Sequence, residues 1–239
     1  MTSSTDKPTG AGSSSLADRL AKLSPQQREL LLRSLGQRAA EVPTDSVPTA
    51  RAVVGQPLPL LPAQQQIWVF ERLQPGTSAY LIYSHSLLEG PLDIEALEAA
   101  CAVVIQRHDM LRTGFSERAG EPVQTVVERV DFSIPVIDLS SLPEAERDVA
   151  MRREIDVDFA RPFDLSRPPL MRAEIIRLAP ERHVWLLCTH HIMSDAWSVA
   201  MIEAEITQCY NAILSGKVPV LPEKALQYAD VVLWQTEPA

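Results

Sequence analysis

Two adjacent histidines followed by an aspartate are the residues in this sequence best suited to chemistry. His190 and His191 follow an apolar run, residues 184–187, that predicts a buried strand. Asp195 comes shortly before residues 199–206, which predict a helix. An imidazole has a reference pKa of ~6.5 and accepts a proton near neutral pH, so this strand-to-helix junction could hold a general base.

The geometry of a strand limits what the two histidines can do together. Successive strand residues point to opposite faces, so His190 and His191 should diverge, which disfavours a metal site that uses both. One imidazole would then lie inside and the other would face outward. Asp195 could orient an imidazole or pair with a buried arginine. A histidine at a strand end is more often structural than catalytic, so these residues alone leave both interpretations open.

The histidine stretch also resembles a known motif, and four further stretches agree with it in order and spacing. His190–Ser198 resembles the HHxxxDG signature of nonribosomal peptide synthetase condensation domains, which also occurs in chloramphenicol-acetyltransferase-like acyltransferases. The other stretches resemble further motifs of condensation domains: Leu61–Trp68, Arg107–Phe115, Pro162–Arg172 and Tyr228–Gln235. The resemblance extends from about Leu58 to Gln235.

The resemblance implies a fold and an activity. The expected fold is an α/β (α+β two-layer sandwich) lobe of the chloramphenicol acetyltransferase type, with a mixed sheet and flanking helices. The implied activity is peptide bond formation between aminoacyl or peptidyl thioesters. Peptidyl or acyl carrier proteins would bring these thioesters on their own phosphopantetheine arms. We therefore expect no covalently bound cofactor, no cofactor-binding site and no metal on this chain.

The resemblance also assigns roles to individual residues. His191 would act as general base or would position the amine, and His190 would be structural. Arg112 would pair with Asp195 and hold the active loop in shape. Removing one partner of such a buried pair typically costs ~3–5 kcal/mol.

The residues predicted to support the site also include the three that directly follow Asp195, which are Ala196, Trp197 and Ser198. Ala196 stands where glycine is usual in the resembled motif. If that position requires a positive φ, the β-carbon of alanine would cost activity. If its φ is negative, alanine would be tolerated, which is the outcome we expect.

The resemblance covers only the first of the two similar lobes that these domains have. We therefore expect this chain to be one half of a two-lobed unit, and its lone lobe would expose apolar surface that soluble monomers rarely tolerate. A second lobe, a partner chain or self-association would cover that surface. Three functions follow: part of a condensation domain, a self-assembling acyltransferase of the chloramphenicol acetyltransferase type, or an inactive lobe that only binds carrier domains or partners.

Composition excludes several other classes of function. The net charge of −9 argues against a nucleic-acid surface, and no apolar run is long enough to predict a membrane span. The start of the chain lacks the apolar region of a secretory signal. The three cysteines lie far apart in apolar segments and predict buried thiols in a reducing cytoplasm.

The domain organisation predicted from the sequence has four parts. Residues 1–14 are a disordered tail, 15–40 a helical leader, 41–57 a proline-rich linker and 58–239 the lobe. The leader could dock a neighbouring protein, or it could pack locally or have no specific role, and we favour the second interpretation. In the lobe, periodicity predicts helices and strands. The helices are residues 62–73, 94–107, 144–158 and 198–214, and the strands are residues 79–88, 111–116, 123–127, 134–137, 170–178 and 183–189.

Overall fold

The computed structural model describes residues 51–236. The predicted tail, the predicted leader and most of the predicted linker lie outside these residues. The elements in chain order are β1 (Pro57–Pro59), α1 (Pro62–Leu73), β2 (Leu81–Glu89), α2 (Ile94–Arg107), a 3₁₀ turn (Asp109–Arg112), β3 (Thr113–Arg118), β4 (Glu121–Val126), β5 (Val136–Asp138), α3 (Glu144–Phe159), β6 (Met171–Ala179), β7 (Arg182–His190), α4 (Ala196–Leu214) and α5 (Tyr228–Thr236).

The larger sheet is mixed and has β7 near its middle. Its order is β2-β7-β6-β5, and only the β5–β6 pair is parallel. Every residue of β7 from His183 to His190 is buried. Strands that are covered on both faces have near-continuous apolar sequences, which explains why the apolar run before the histidines predicts a strand.

Helices cover both faces of this sheet, and alternate residues of β7 contact opposite layers. Trp185 and Leu187 belong to the main core, which also includes residues of α2 and α4. Leu186 belongs to a smaller core on the other face, against which Met151 and Ile155 of α3 pack. The predicted α/β fold, with a mixed sheet and flanking helices, is confirmed.

A second, three-stranded antiparallel sheet has the order β1-β4-β3. The predicted hairpin forms its β3–β4 pair, displaced by two residues at most. Neither β1 nor α5 is predicted from the sequence. Both contribute to one small core, in which Leu58 and Val126 pack with Ala229 and Val232.

The first described residues are hydrogen-bonded to the lobe. Ala52 N–H donates to Asp230 Oδ1 at 2.8 Å, and Arg51 Nη1 lies 3.0 Å from Oδ2 of the same carboxylate. Gly55 N–H donates to the carbonyl of Val126 at 2.8 Å. The end of the stretch that the sequence analysis assigns to the linker is therefore fixed to the lobe by this carboxylate and by β4.

Two compositional predictions can be compared with the described residues. Cys101, Cys188 and Cys209 are buried free thiols, as predicted. Across residues 51–236, no helix combines the length and the apolar character needed to cross a membrane.

The contacts of Asp230 lead to a first prediction. Replacing it with alanine leaves the backbone N–H groups of Ala52 and Gln227 without their acceptor, so the free energy of unfolding should fall by about 2 kcal/mol. Arg51→Ala is the matched control. Its side chain is 58% exposed, so the ion pair should contribute less than about 1 kcal/mol. Urea unfolding measures both changes, and equal losses would contradict this assignment.

Candidate functional site

The two histidines diverge at the end of β7, as the alternation of strand side chains predicts. His190 is the last strand residue and is 2% exposed, whereas His191 is exposed and lines a cleft. Their backbones pair with neighbouring segments on opposite sides. His190 N–H donates to the carbonyl of Leu170 at 3.0 Å, and His191 N–H donates to that of Tyr80 at 2.8 Å.

A short hydrogen bond within the turn after β7 fixes the imidazole of His191. Its Nδ1 lies 2.7 Å from the carbonyl oxygen of Ser194. A carbonyl only accepts, so Nδ1 must carry the proton and the neutral ring keeps its lone pair on Nε2. The hydroxyl of Ser194 in turn donates to Thr189 Oγ1 at 2.8 Å and is buried. The turn therefore presents an oriented proton acceptor at the cleft.

The other imidazole, that of His190, is hydrogen-bonded on both nitrogens inside the lobe. Its Nε2 lies 3.2 Å from Glu71 Oε1, and its Nδ1 accepts the backbone N–H of Ile192 at 3.2 Å. Burial, assisted by the neighbouring His191, lowers the pKa of His190 to about 4. Burial also raises the pKa of Glu71. At neutral pH the contact is therefore a neutral imidazole N–H donating to the carboxyl group, and not an ion pair.

Asp195 does not pair with Arg112, and this prediction is wrong. Instead, Asp195 is the N-cap of α4: its Oδ1 accepts the backbone N–H of Ser198 at 2.7 Å and the hydroxyl of Ser198 at 2.6 Å. The first residues of a helix have N–H groups without partners, and a carboxylate beside them is held locally. These hydrogen bonds lower the pKa of Asp195.

Arg112 contributes to the fold at a different point. Its guanidinium is buried, with Nη2 2.7 Å from Asp109 Oδ1, and Nη1 donates to the carbonyls of Val127 and Glu128. Asp109 lies only three residues earlier, in the 3₁₀ turn, which explains why it is the partner. Arg112 therefore holds the chain that leaves β4.

The remaining predicted supporting residues lie at the start of α4. Ala196 is the first residue of this helix and is exposed, and Ala119 alone among the non-glycine residues from 51 to 236 has a positive φ. The β-carbon of Ala196 therefore causes no backbone strain. Trp197 is 82% exposed, so it contributes no packing to the site within the described lobe. Ser198 supports the turn through its two hydrogen bonds to Asp195.

The cleft beside His191 has a volume of about 360 Å³. Its walls come from α1, the 3₁₀ turn and the residue before it, the turn after β7, the start of α4 and the chain on either side of Gln227. The lining includes Ala63, Gln64, Ile67, His108, Met110, Leu111, His191, Ile192, Met193, Ser194, Asp195, Ser198, Met201, Ile202, Lys224, Gln227 and Tyr228. Within residues 51–236, no group of three or more His, Cys, Asp or Glu side chains is placed to hold a metal ion.

His108 and Lys224 line the cleft and belong to a polar network that the sequence analysis missed. Lys224 Nζ lies 2.7 Å from His108 Nδ1, and His108 Nε2 lies 2.6 Å from Glu205 Oε2. Burial lowers the pKa of both His108 and Lys224. A neutral His108 can donate to Glu205 and accept from Lys224 at the same time. His108 lies 97 positions before Glu205 and 116 before Lys224, so no local pattern links it to them.

Helix α1 contributes two further side chains that the sequence analysis did not assign to the site. Gln64 is buried, exchanges hydrogen bonds with Gln124, and has its Nε2 3.4 Å from the carbonyl oxygen of Ile192. Glu71 contacts His190, as described above. The two residues are seven positions apart, which places them on one face of the helix. The sequence offered one signal for these two residues: a glutamine and a carboxylate lie on the same predicted helix face as the apolar Ile67.

Comparison with known proteins gives a consistent family match. Residues 54–239 match the family model described as "Condensation domain". The chain is 40% identical over 232 residues to one of the proteins that make up the linear gramicidin synthase of Brevibacillus parabrevis, covering 97% of this chain and 3% of that protein. It is 34% identical over 220 residues to phosphinothricin tripeptide synthetase PhsC of Streptomyces viridochromogenes, covering 92% of this chain and 20% of that protein.

Solved structures show the same similarity at the level of the fold. The starter condensation domain of rhizomide synthetase RzmA superposes with a TM-score of 0.68 and 26% sequence identity, covering 74% of this chain and 42% of that chain. This chain therefore spans a small part of the curated relatives and less than half of the solved domain. The matches confirm the resemblance drawn from the sequence motifs.

The two assignments for Arg112 can be separated by double-mutant cycles. The coupling energy between Arg112→Ala and Asp109→Ala should be about 1–3 kcal/mol, because the two side chains are hydrogen-bonded. The coupling between Arg112→Ala and Asp195→Ala should stay within about 0.5 kcal/mol. Chemical unfolding of the single and double variants measures both. The reverse pattern would restore the partner implied by the motif.

The depressed pKa of His190 predicts a specific loss of stability in acid. The unfolded chain, with an ordinary histidine pKa near 6.5, binds the proton before the folded chain, whose His190 pKa is about 4. Stability from this group is complete above pH ~6.5 and falls by about 3 kcal/mol as the pH drops to ~4. The raised pKa of Glu71 acts in the opposite direction.

Comparison with His190→Gln isolates this effect. Unfolding free energies of both proteins should be measured at several pH values between 7 and 4. The difference between wild type and variant should shrink as the pH falls. Parallel curves over this range would show that His190 is not held neutral by burial.

Proposed function

This chain belongs to the condensation domain family, and on that premise we propose that it provides part of a site that joins two carrier-bound thioesters through a peptide bond. The donor would be an aminoacyl or peptidyl thioester, and the acceptor amine would arrive on a second carrier protein. Both phosphopantetheine arms would belong to those carriers. The observation that supports the proposal most directly is the hydrogen bond from His191 Nδ1 to the carbonyl of Ser194, which leaves Nε2 free to work at the cleft.

The proposed reaction releases a proton from the acceptor amine, and His191 is the group that we propose takes up this proton or positions the amine. The acceptor nitrogen attacks the thioester carbonyl carbon, a carbon–nitrogen bond forms, and the carbon–sulfur bond breaks. The nitrogen must lose a proton, and the departing sulfur must gain one. His191 Nε2 can accept the proton or a hydrogen bond from the amine, and a ring with a fixed orientation lowers the entropic cost of aligning that amine.

Exposed apolar side chains near the cleft support a covering partner. Trp197 is 82% exposed and Met201, which lines the cleft, is 43% exposed. Val69 and Leu73 do not line the cleft, but they are 54% and 76% exposed on α1, whose first turns do. Apolar residues grouped around a functional cleft are typical of an interaction surface. We propose that a second lobe, a partner chain or another copy of this chain covers this face.

The other two functions considered from the sequence have less support. Backbone strain at Ala196 would favour an inactive lobe, but that residue is helical and unstrained. A self-assembling acyltransferase of the chloramphenicol acetyltransferase type would also cover the apolar face. The matched family model and the synthetase relatives favour the condensation reaction over that alternative.

Substitution of His191 tests the proposed reaction. Carrier-bound donor and acceptor thioesters are supplied to the full chain, and the amide product is measured by mass spectrometry. His191→Ala should lower the rate roughly 10²–10⁴-fold, which is the usual contribution of a general base. Binding of the carrier proteins should not change.

His85→Ala is the matched control, because His85 is exposed on β2 and does not line the cleft. Its product rate should equal that of wild type. If His191→Ala also retains the wild-type rate, His191 is neither the base nor the residue that positions the amine. If wild type makes no amide but binds carriers, the interpretation as a binding lobe is correct.

A further inference from the structure

Helix α1 contacts the turn that contains His191 through a polar route not assigned by the sequence motifs. We propose that Glu71 is a positioning residue for His191, acting through His190 and the backbone of Ile192. The expected effect on catalysis rests on the function proposed above, whereas the effect on the geometry of the turn does not.

The first step in this route is control of the tautomer of His190. The Glu71 side chain is 11% exposed, and its Oε1 lies 3.2 Å from His190 Nε2. A carboxylate oxygen accepts, so the proton of the neutral imidazole must be on Nε2. The lone pair then lies on Nδ1, where it accepts the N–H of Ile192 at 3.2 Å. In the other tautomer, the lone pair of Nε2 would face the Glu71 carboxylate, and the proton on Nδ1 would face the N–H of Ile192.

The second step is the position of the residue that follows His191. Ile192 is buried, and both of its backbone polar groups are hydrogen-bonded. Its N–H donates to His190, and its carbonyl accepts from Gln64 Nε2 at 3.4 Å. One end of α1 therefore fixes the carbonyl directly, and the other end fixes the N–H through the imidazole of His190. His191 precedes Ile192, and its own N–H donates to the Tyr80 carbonyl. The backbone of His191 is therefore fixed by its own hydrogen bond and by those of the next residue.

The surroundings of Glu71 argue against a purely structural explanation. The imidazole that it contacts lies against aromatic rings, with the centroids of Tyr80 and Phe163 6.4 and 6.3 Å away. A carboxyl group loses hydration in such a place, and apolar side chains in place of both members of a buried polar pair often give equal or greater stability. Burying the Glu71 carboxyl group therefore costs free energy of desolvation, and its role in fixing the tautomer of His190 explains why it is present.

The experiment compares Glu71→Leu with Glu71→Gln in the full chain by nitrogen-15 NMR of the histidine rings, assigned with His190→Gln and His191→Ala. Glutamine retains an oxygen that can accept the Nε2–H of His190, whereas leucine retains the volume without an acceptor. Wild type and Glu71→Gln should show the proton on Nε2 of His190 and on Nδ1 of His191. In Glu71→Leu, the Nε2–H of His190 loses its acceptor, so His190 should show mixed tautomers. His191 should also show mixed tautomers, because the turn that aligns its Nδ1–H with the Ser194 carbonyl shifts.

The same variants are then tested for amide formation with carrier-bound substrates. Glu71→Leu should lower kcat roughly 10–10²-fold with little change in KM, because a displaced catalytic group loses alignment with the reacting amine. Glu71→Gln should restore the wild-type kcat, which a role for the negative charge alone would not allow.

Several results would overturn the proposal. These are unchanged tautomers in Glu71→Leu, mixed tautomers in Glu71→Gln, or an unchanged kcat in a Glu71→Leu protein whose tautomers are altered. A wild-type protein without amide-forming activity would instead contradict the proposed function, and the NMR comparison would still decide whether Glu71 sets the geometry of the turn.

Discussion

The hydrogen bond from the imidazole of His191 to the carbonyl of Ser194 depends on the position of the whole turn after β7. That turn is fixed because β7 is buried between β2 and β6, and because the chain after it enters a helix capped by Asp195. Helix α1 adds contacts to Ile192 and to His190. An exposed side chain is thus held by a buried framework, which is the usual way in which a fold gives one group a defined orientation.

Much of this framework could be predicted from the sequence because its signals are local. The bounds of α2 follow from its apolar periodicity, and the structure has the same bounds, with Asp93 as the N-cap. The divergence of His190 and His191 follows from the pleat of a strand. Strand β1 could not be predicted, because three residues with two prolines have no usable period and pair only through tertiary contacts with β4.

The site was less predictable than the fold because its partners are distant in sequence. The contact between Glu71 and His190 joins residues 119 positions apart. The motifs identified the right stretches but not all of their pairings. For Arg112 the motif implied a long-range partner, whereas the structure has Asp109 one turn away. A nearby carboxylate needs little loop closure to reach an arginine, so the local pair has an entropic advantage over the distant one.

The spacing of Gln64 and Glu71 on α1 also has a mechanical consequence. Seven residues correspond to about 10 Å along a helix axis, so the two residues that contact the histidine turn are separated by about that distance along α1. A helix held at two such points resists both sliding and rotation relative to the turn, and the two segments should move as one rigid body. Val69 and Leu73 are exposed on the same helix, so we expect a displacement of α1 at these residues to move the histidine turn with it.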